Sequence, residues 1–416
     1  MANRFSCGIA LAVVFFAGLG VGRSHAADTA AACLGHLKDV AKSGSYYWAM
    51  RTGDYESTTN AVDRGGGKYT SQPLDRAVIP VCGETERRYG IAPKVYLCDF
   101  GVICGGWVTE ARYAMTRASL SATILKLWQE RGALCVFSWH MRHPCATNGF
   151  QQAAYRFKCD VHTNVIRSIL ADEKWLCGTD QGWSKTKNKP MTPRAFFMRQ
   201  LDEIAAFVNG LKDARGKPIP VVIRYPHEMD GSWFWWGKKF CSREEFIAFE
   251  RLEADYLRKK CGKGRILFAY TPDRYWSALG SEGDGGENFL SWYPGDRYVD
   301  IMGCDDYSIG VTHRKGEALT EAERKANYAA VLSRLKLIDG YARSHDKVAG
   351  ITESGPKGCT DIYYSDIRRL MEDEGLRFAF FCSWGDGWQL PSTPTADADL
   401  KKFLGESKVI VERVGK

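Results

Sequence analysis

Several short motifs that would assign a function at once are missing from this chain of 416 residues. No two cysteines stand in a CxxC arrangement, so a zinc knuckle is not expected. His227 precedes Glu228, but the helical zinc-peptidase motif needs a second histidine four residues after the first, and that position is Gly231. No glycine-rich phosphate loop follows the first predicted strand. These absences disfavour a zinc peptidase and an open doubly wound sheet.

Long apolar runs are missing from the chain beyond its first residues. No stretch after residue 26 reaches roughly eighteen apolar residues, so no spanning helix and no membrane partner are expected. Residues 1–26 combine Arg4, an apolar segment from Ile9 to Val21 and small residues before Ala27, the pattern of a secretory signal peptide. An uncleaved anchor is the alternative. We therefore expect a secreted protein, extracellular or periplasmic.

Linkers, repeats and runs of one charge are also absent. No Pro/Ser/Thr-rich tract divides residues 27–416, which favours a single domain. The formal net charge is +8, and it falls to about +6 when Arg4 and Arg23 leave with the signal peptide. This charge is spread without long Lys/Arg runs, so no nucleic-acid partner is expected. A monomer is the default expectation.

Cysteine, in contrast, is abundant, with 14 residues in the full chain. Secretion permits disulfides, and the short spacings of Cys159 with Cys177 and of Cys241 with Cys261 predict two local bridges. Four other cysteines fall within predicted strands and are expected to be buried thiols: Cys98, Cys135, Cys304 and Cys382.

Strand-like and helix-like segments alternate along the chain. Eight strands are predicted, at residues 46–50, 93–100, 133–140, 219–223, 265–272, 298–307, 348–353 and 378–384. Helices between them are indicated by an apolar stripe at Leu120, Ile124, Leu127 and Trp128, by Thr192 before Pro193, and by capping boxes at 242–245 and 320–323. A further helix is predicted over about 360–374. This alternation predicts an α/β fold, a closed (β/α)8 TIM barrel, with an open doubly wound sheet as the competing architecture.

Chemically active side chains stand where the predicted strands end, the edge at which α/β barrels bind ligands. They are Asp99, His140, His227, Glu228, Asp305, Tyr307, Glu353 and Trp384. Glu228 follows the fourth predicted strand and Glu353 ends the seventh, so two carboxyl groups are expected across one opening of the barrel, its mouth. Glycoside hydrolysis requires such a pair, because one carboxyl protonates the leaving oxygen while the other attacks or activates water.

Four consecutive aromatic residues occupy positions 233–236. They match neither a helical stripe nor a two-residue alternation, so some are expected to face outward, with Trp233, Trp235 and Trp236 flanking Glu228. The alternative is a buried ion pair beside an aromatic core.

Four motifs in this order resemble glycoside hydrolase family 26, the retaining β-mannanases. They are Ser138-Trp-His140, Arg224-Tyr-Pro-His-Glu-Met-Asp-Gly-Ser-Trp-Phe-Trp-Trp-Gly237, Tyr293-Pro-Gly-Asp-Arg-Tyr-Val-Asp-Ile-Met-Gly-Cys-Asp305 with Tyr307, and Ile351-Thr-Glu-Ser-Gly355. The resemblance implies one (β/α)8 catalytic domain over residues 27–416. It also implies that Glu228 is the acid/base and Glu353 the nucleophile.

The resemblance further implies a set of substrate-binding residues: His140, His227, Trp233, Asp305, Tyr307 and Trp384. Tyr307 would hydrogen-bond the nucleophile with help from Asp305, and His140 and Trp384 would border the subsite of the cleaved sugar. The chain departs from the family pattern at Asp230, where asparagine is usual, and at Gly385, where many mannanases carry arginine. The second departure leaves the distal glycone subsite, and endo or exo action, open.

The expected activity is a secreted endo-β-1,4-mannanase acting on a β-mannan-type polysaccharide: mannan, galactomannan or glucomannan. A β-1,3-1,4-glucanase or β-1,3-xylanase of the same family, and an inactive carbohydrate-binding barrel, are the alternatives. Side chains carry both proposed catalytic roles, so no cofactor and no metal are expected. A zinc site formed by His140, His143 and His227 is the alternative on that point.

Overall fold

A computed structural model describes most of the chain after the predicted signal peptide. The described residues are 29–51, 62–63, 69–70, 85–86, 88–104, 110–145, 154, 162–177, 190–224, 226–274, 276, 288–314, 316–355, 361–384, 391, 393–405 and 408–414. The signal peptide, Cys159 and Gly385 lie outside them. Within these ranges no helix is both long and apolar enough to cross a bilayer.

Eight parallel strands form the centre of the fold. They are β1 (Tyr46–Arg51), β2 (Val95–Asp99), β3 (Leu134–Ser138), β4 (Val221–Arg224), β5 (Ile266–Tyr270), β6 (Ile301–Asp305), β7 (Val348–Glu353) and β8 (Phe378–Ser383). Each pairs with the next along the chain, and β8 pairs back with β1. Tyr47 lies beside Phe380, and Met50 beside Ser383. The predicted closed (β/α)8 barrel is therefore confirmed, and the open sheet is excluded.

Helices surround this barrel. They are α1 (Thr29–Ser43), α2 (Glu110–Arg131), α3 (Val165–Leu170), α4 (Pro193–Gly210), α5 (Arg243–Lys260), α6 (Glu321–Ser344), α7 (Tyr363–Arg368) and α8 (Pro394–Gly405). Both predicted capping boxes form, at the starts of α5 and α6, and Thr192 caps α4. The helix predicted over 360–374 differs from its prediction, because α7 begins at Tyr363 and Arg369–Asp373 continue it as a π-helix.

Short elements complete the described structure. Antiparallel pairs join Val62–Asp63 to Tyr69–Thr70, Ile91–Ala92 to Glu412–Arg413, and His313–Arg314 to Glu317–Ala318. Val409–Ile410 adds to β1, and 3-10 turns occur at Phe100–Val102 and Asp296–Tyr298.

The barrel interior is filled by alternate residues of all eight strands. Successive side chains of a strand point to opposite faces. The cluster on one face packs with the outer helices, through residues such as Leu201, Phe249 and Leu335, so the other cluster is the inner one. Its members include Tyr47, Ala49, Val95, Leu97, Leu134, Val136, Val222, Leu267, Ala269, Ile301, Val348, Phe380 and Cys382. Leu37 of α1 joins this cluster, and Ala30 N donates to Gly264 O just before β5. Helix α1 therefore closes the barrel at the amino ends of the strands.

The cysteine predictions divide into right and wrong ones. The thiols of Cys98, Cys135, Cys304 and Cys382 are buried, as predicted. The Cys241–Cys261 bridge is wrong, since both thiols are free and the residues flank the 18-residue helix α5. That helix is about 27 Å long at 1.5 Å per residue, far beyond the reach of a disulfide.

The other predicted bridge is also not formed at its described end. Cys177 is a buried free thiol, and its Sγ donates to Met191 O at 2.9 Å. Its predicted partner Cys159 lies outside the described residues. Of the two predictions, the Cys241–Cys261 bridge took sequence spacing for spatial closeness.

Candidate active site

Two layers of side chains meet at the carboxyl ends of the strands. The lower layer is fully buried and consists of Arg224, His227, Asp305 and Glu353. The upper layer is half-buried and consists of His140, Glu228, Trp233, Tyr307 and Trp384. The eight residues predicted to be catalytic or substrate-binding are therefore all in these layers, and the contacts described below connect them.

Arg224 is the last residue of β4, and its guanidinium holds two acidic residues together. Nη1 lies 2.6 Å from Glu353 Oε1, and Nη2 lies 2.6 Å from Asp305 Oδ2. All three side chains are almost completely inaccessible to solvent. Burial raises the pKa of Asp305 well above its usual value, and the charge of Arg224 opposes that shift. The two-pronged geometry of the guanidinium fixes the orientation of both carboxyl groups.

Glu353 receives a second donor from the turn after β6. Tyr307 Oη donates to Glu353 Oε2 at 2.9 Å, while Arg224 holds the other oxygen. His227 Nε2 lies 3.9 Å from Glu353 Oε1. Asp305 is fixed in turn by Thr352 Oγ1, which donates to its Oδ1 at 2.7 Å. The nucleophile candidate is thus oriented through both of its oxygens.

Glu228 is held in a strained turn directly after β4. Its φ is +53°, a left-handed conformation that costs a residue other than glycine on the order of 1 kcal/mol or more. The turn is fixed by Glu228 N, which donates to Thr271 O at 3.0 Å, and by Gly231 N, which donates to Glu228 O at 2.9 Å. Trp233 Nε1 donates to Glu228 Oε2 at 2.6 Å. Backbone and side chain together aim this carboxyl into the mouth.

The two glutamates have different electrostatic surroundings. Desolvation raises the pKa of Glu228 well above its usual value, and the charges of Asp305, Glu353 and Asp273 raise it further, against the Trp233 hydrogen bond. Arg224 contacts Glu353 and Asp305 directly, whereas Glu228 forms no ion pair within the described residues. The surroundings of Glu228 therefore favour its protonated form, and Glu353 is matched to a cation.

His140 connects β3 to the aromatic side of the mouth. Asp99 Oδ2 lies 2.5 Å from His140 Nδ1, and Ser138 Oγ and Gly101 N donate to the same carboxylate. The imidazole lies 4.8 Å from the ring of His227 and 5.9 Å from that of Trp384, centre to centre. With Nδ1 held by Asp99, Nε2 is the nitrogen left for a ligand.

The aromatic run is divided between the core and the mouth. Trp235 and Trp236 are buried, and their indole N–H groups donate to Met141 O and His227 O. Phe234 is also buried, stacked on Trp236 with ring centres 4.3 Å apart. The expectation that Trp235 and Trp236 flank Glu228 as cleft residues is therefore wrong, and of the three indoles Trp233 alone contacts that carboxyl.

A cation position exists in the lower layer, but a side chain fills it. His227, Asp305 and Glu353 offer ligand atoms within 4.8 Å of one another. The guanidinium of Arg224 already lies against both carboxylates, which leaves a metal ion little to gain there. His143 does not fit the alternative zinc set. Its Nε2 donates to His162 O, its Nδ1 accepts from Cys145 N, and burial lowers its pKa to about 4.

Two residues of this site were not among the predicted ones. Arg224 was part of the quoted motif without a role, and its position as the last residue of a buried strand was the available clue. Asp273 follows β5, is 5% exposed, and pairs through its backbone with Asp230 Oδ1 at 2.8 Å. An acidic residue just beyond a predicted strand end was again the pattern that could have identified it.

A barrel with this acidic mouth defines the class of (β/α)8 glycoside hydrolases with strand-end acids. The sequence profile of glycosyl hydrolase family 26 matches residues 84–340, more than half of the chain. The chain belongs to glycosyl hydrolase family 26.

Curated relatives and solved structures agree with this assignment. A mannan endo-1,4-beta-mannosidase of Bifidobacterium adolescentis is 27% identical over 78% of this chain and 31% of its own length. One from Bacillus subtilis is 23% identical over 74% of this chain and 70% of its own. The chain thus spans about a third of the first relative. The structure of GH26C from Muricauda sp. has a TM-score of 0.68 at 21% identity, covering 93% of this chain and 92% of that one, and shows the same fold.

Proposed function

We propose that this protein is a secreted, retaining endo-β-1,4-mannanase that hydrolyses mannan, galactomannan or glucomannan. The observation that carries the proposal is the unequal environment of two glutamates at one mouth. Glu228 has a pKa raised by burial and by three neighbouring acids, while Glu353 is bound by Arg224 and Tyr307. An acid and a nucleophile at one working pH require this kind of split.

The first chemical step uses both carboxyls. Glu353 attacks the anomeric carbon, and Glu228 gives its proton to the departing glycosidic oxygen, so one C–O bond forms while another breaks. Arg224 and Tyr307 orient the carboxylate of Glu353. They also withdraw negative charge from its oxygens, so they contribute to its position and not to its basicity.

The second step returns the enzyme to its first state. Glu228, now ionised, takes a proton from water, and the resulting hydroxyl displaces Glu353 from the anomeric carbon. Two displacements at one carbon give net retention. Trp233, which donates to Glu228 Oε2 at 2.6 Å, stabilises the ionised form that this step needs.

The substrate part of the proposal rests on the half-buried layer and on the relatives. His140, Trp233 and Trp384 place an imidazole and two indoles beside the carboxyls, and aromatic faces of this kind stack on the apolar faces of sugar rings. Both curated relatives named above carry the name mannan endo-1,4-beta-mannosidase. The secretory pattern of residues 1–26 supports export before the polysaccharide is met.

Two measurements test the proposal. Reducing-sugar release should be greatest with mannan-type substrates in a panel that includes mixed-linkage β-glucan and β-1,3-xylan. Proton NMR of the first product should show the β-anomer. Preference for either of the other polysaccharides would replace the substrate assignment, an initial α-anomer would contradict Glu353 as nucleophile, and binding without turnover would indicate an inactive barrel.

A further inference from the structure

The turn that carries Tyr307 is held by a helix outside the barrel. Strand β6 ends at Asp305, so no strand pairing fixes residues 306–309. Asp306, however, is completely buried, and its side chain lies 2.6 Å from Arg334 Nη2. Arg334 belongs to the middle of α6 and is 14% exposed.

Both carboxylate oxygens and the backbone N–H of Asp306 form hydrogen bonds. Its Oδ2 accepts from Arg334 Nε at 3.2 Å and Nη2 at 2.6 Å, and its Oδ1 accepts from Ser308 N at 2.8 Å and from the Ser308 hydroxyl. Its backbone N donates to Glu353 O at 2.9 Å. One residue therefore connects the outer helix, the Tyr307 turn and the backbone of the nucleophile candidate.

Helix α6 forms a second set of hydrogen bonds with the same turn. Asn327 Nδ2 donates to Ser308 O at 2.7 Å, and Arg334 Nη2 donates to Ser308 Oγ at 2.9 Å. Asn327 and Arg334 are seven residues apart, which places them two turns apart on one face of a helix. The residues on either side of Tyr307 are thus anchored to a rigid element.

We propose that Arg334 is a positioning residue for the hydrolytic reaction: through Asp306 it sets the place of Tyr307 and, through Tyr307, the orientation of Glu353. This inference rests on the proposed function for its kinetic consequences. Arg334 bonds to Asp306 and Ser308 and not to Glu353 or Tyr307 in the described structure, so its effect passes through the turn.

The main test replaces the two-pronged guanidinium of Arg334 and keeps a positive charge beside Asp306. Arg334→Lys keeps the positive charge, so the buried carboxylate stays neutralised, but a point charge cannot hold it by two bonds. We expect kcat to fall about tenfold with little change in KM, the factor for partial loss of one hydrogen bond to a carboxylate. The acidic limb of the kcat/KM profile should move to higher pH, because the nucleophile loses a donor.

A second variant covers the case in which Arg334→Lys folds poorly. Asn327→Ala removes the other anchor and no charge, and it should lower kcat about threefold in the same manner. Arg343→Lys is the matched control, since Arg343 lies on the same helix, pairs with Asp339 at 3.0 Å, and does not contact the turn. It should leave kcat and the pH profile unchanged.

A double-mutant comparison and a crystal structure distinguish a positioning effect on Glu353 from a general loss of activity. In a Tyr307→Phe background Arg334→Lys should cost no further activity, whereas an independent effect would multiply. In a crystal of Arg334→Lys the distance from Tyr307 Oη to Glu353 Oε2, 2.9 Å in the native chain, should exceed about 3.5 Å. Wild-type kcat in Arg334→Lys, an equal loss in both backgrounds, or an unchanged distance would overturn the inference. If the native enzyme cleaves no polysaccharide, the proposed function fails, and the crystal structure still decides the place of Tyr307.

Discussion

Two pairs of glutamates lie inside this protein, and their surroundings are opposite. Glu228 and Glu353 stand at the carboxyl ends of β4 and β7 among donors: an indole N–H, a phenol and a guanidinium. Glu250 and Glu253 stand on α5, 0% and 1% exposed, and neither oxygen of Glu250 nor Oε2 of Glu253 has a hydrogen-bond partner in the described structure. Burial alone therefore does not make a carboxyl catalytic; its partners do.

The electrostatic consequence differs as well. Desolvation raises the pKa of Glu253 to about 8 and that of Glu250 well above its usual value, with Glu253 adding to the latter shift. Desolvation thus favours the protonated form of both members of the helix pair. In the mouth Arg224 contacts Glu353 and not Glu228, so the two carboxyls have different charged neighbours. The proposed mechanism uses that difference in the first pair, whereas desolvation of the second pair lowers stability.

Removing the mouth glutamates should give the largest effect. Glu353→Ala is expected to abolish turnover, and Glu228→Ala should lower kcat/KM for polysaccharide by about 10²–10⁴, the usual contribution of a general acid. Azide should restore turnover of a dinitrophenyl glycoside by Glu228→Ala, because that leaving group needs no proton. Glu250→Gln is the control and should retain the native kcat. Equal rescue of both alanine variants would remove the distinction between their roles.

Breaking the buried ion pairs should have the next largest effect. Arg224→Met leaves Asp305 and Glu353 buried without a cation, which typically costs about 3–5 kcal/mol in the free energy of unfolding. Urea unfolding at pH 7 and at pH 5 measures it, and the cost should shrink at pH 5 as the carboxyls take up protons. Arg368→Met removes a more exposed pair with Asp373 and should change stability by less than about 1 kcal/mol. Similar values for the two variants would contradict this account.

Neutralising the helix pair should stabilise the protein. Above about pH 4.3 the unfolded chain releases the Glu253 proton, while the folded chain keeps it until about pH 8, so this group lowers stability progressively across that interval. Glu253→Gln should therefore raise the free energy of unfolding by on the order of 2 kcal/mol at pH 7 and by little at pH 4. Urea titrations at the two pH values test it. A gain of the same size at both would show that ionisation is not the cause.

The smallest effects should be opposite shifts of one limb of the pH profile. Trp233→Phe removes a donor that favours ionised Glu228, so its pKa and the alkaline limb of kcat/KM should rise. Asp273→Asn removes a negative charge that disfavours that ionisation, so the limb should fall. About half to one pH unit is expected in each direction. If the alkaline limb moved in the same direction in both variants, Glu228 would not be the group that sets it.

Much of the fold could be predicted because its causes are local. All eight barrel strands were predicted within about three residues at each end, since buried strands are continuous apolar runs between turn residues. The capping boxes at Ser242 and Thr320 could be predicted equally well, because each consists of two reciprocal hydrogen bonds between residues three positions apart. The strand ends then placed the predicted site residues at one mouth.

The errors arose where distance along the chain was taken for distance in space. Cys241 and Cys261 are separated by the length of a helix, and Trp235 and Trp236 turn into the core although Trp233 beside them does not. For the same reason no role was predicted for Arg224, because its two partners lie on strands 81 and 129 residues away. Neither partner can be identified without the barrel that brings them together.

By itself the sequence determined the strand-helix alternation, the positions of the two glutamates and the family motifs, because periodicity, capping and short motifs are properties of neighbouring residues. The tertiary structure alone decided which acid faces a cation, which tryptophan reaches the mouth and which helix anchors Tyr307. Those outcomes depend on the barrel, because it brings the carboxyl ends of β4, β6 and β7 together around one guanidinium and sets the solvent exposure of each carboxyl.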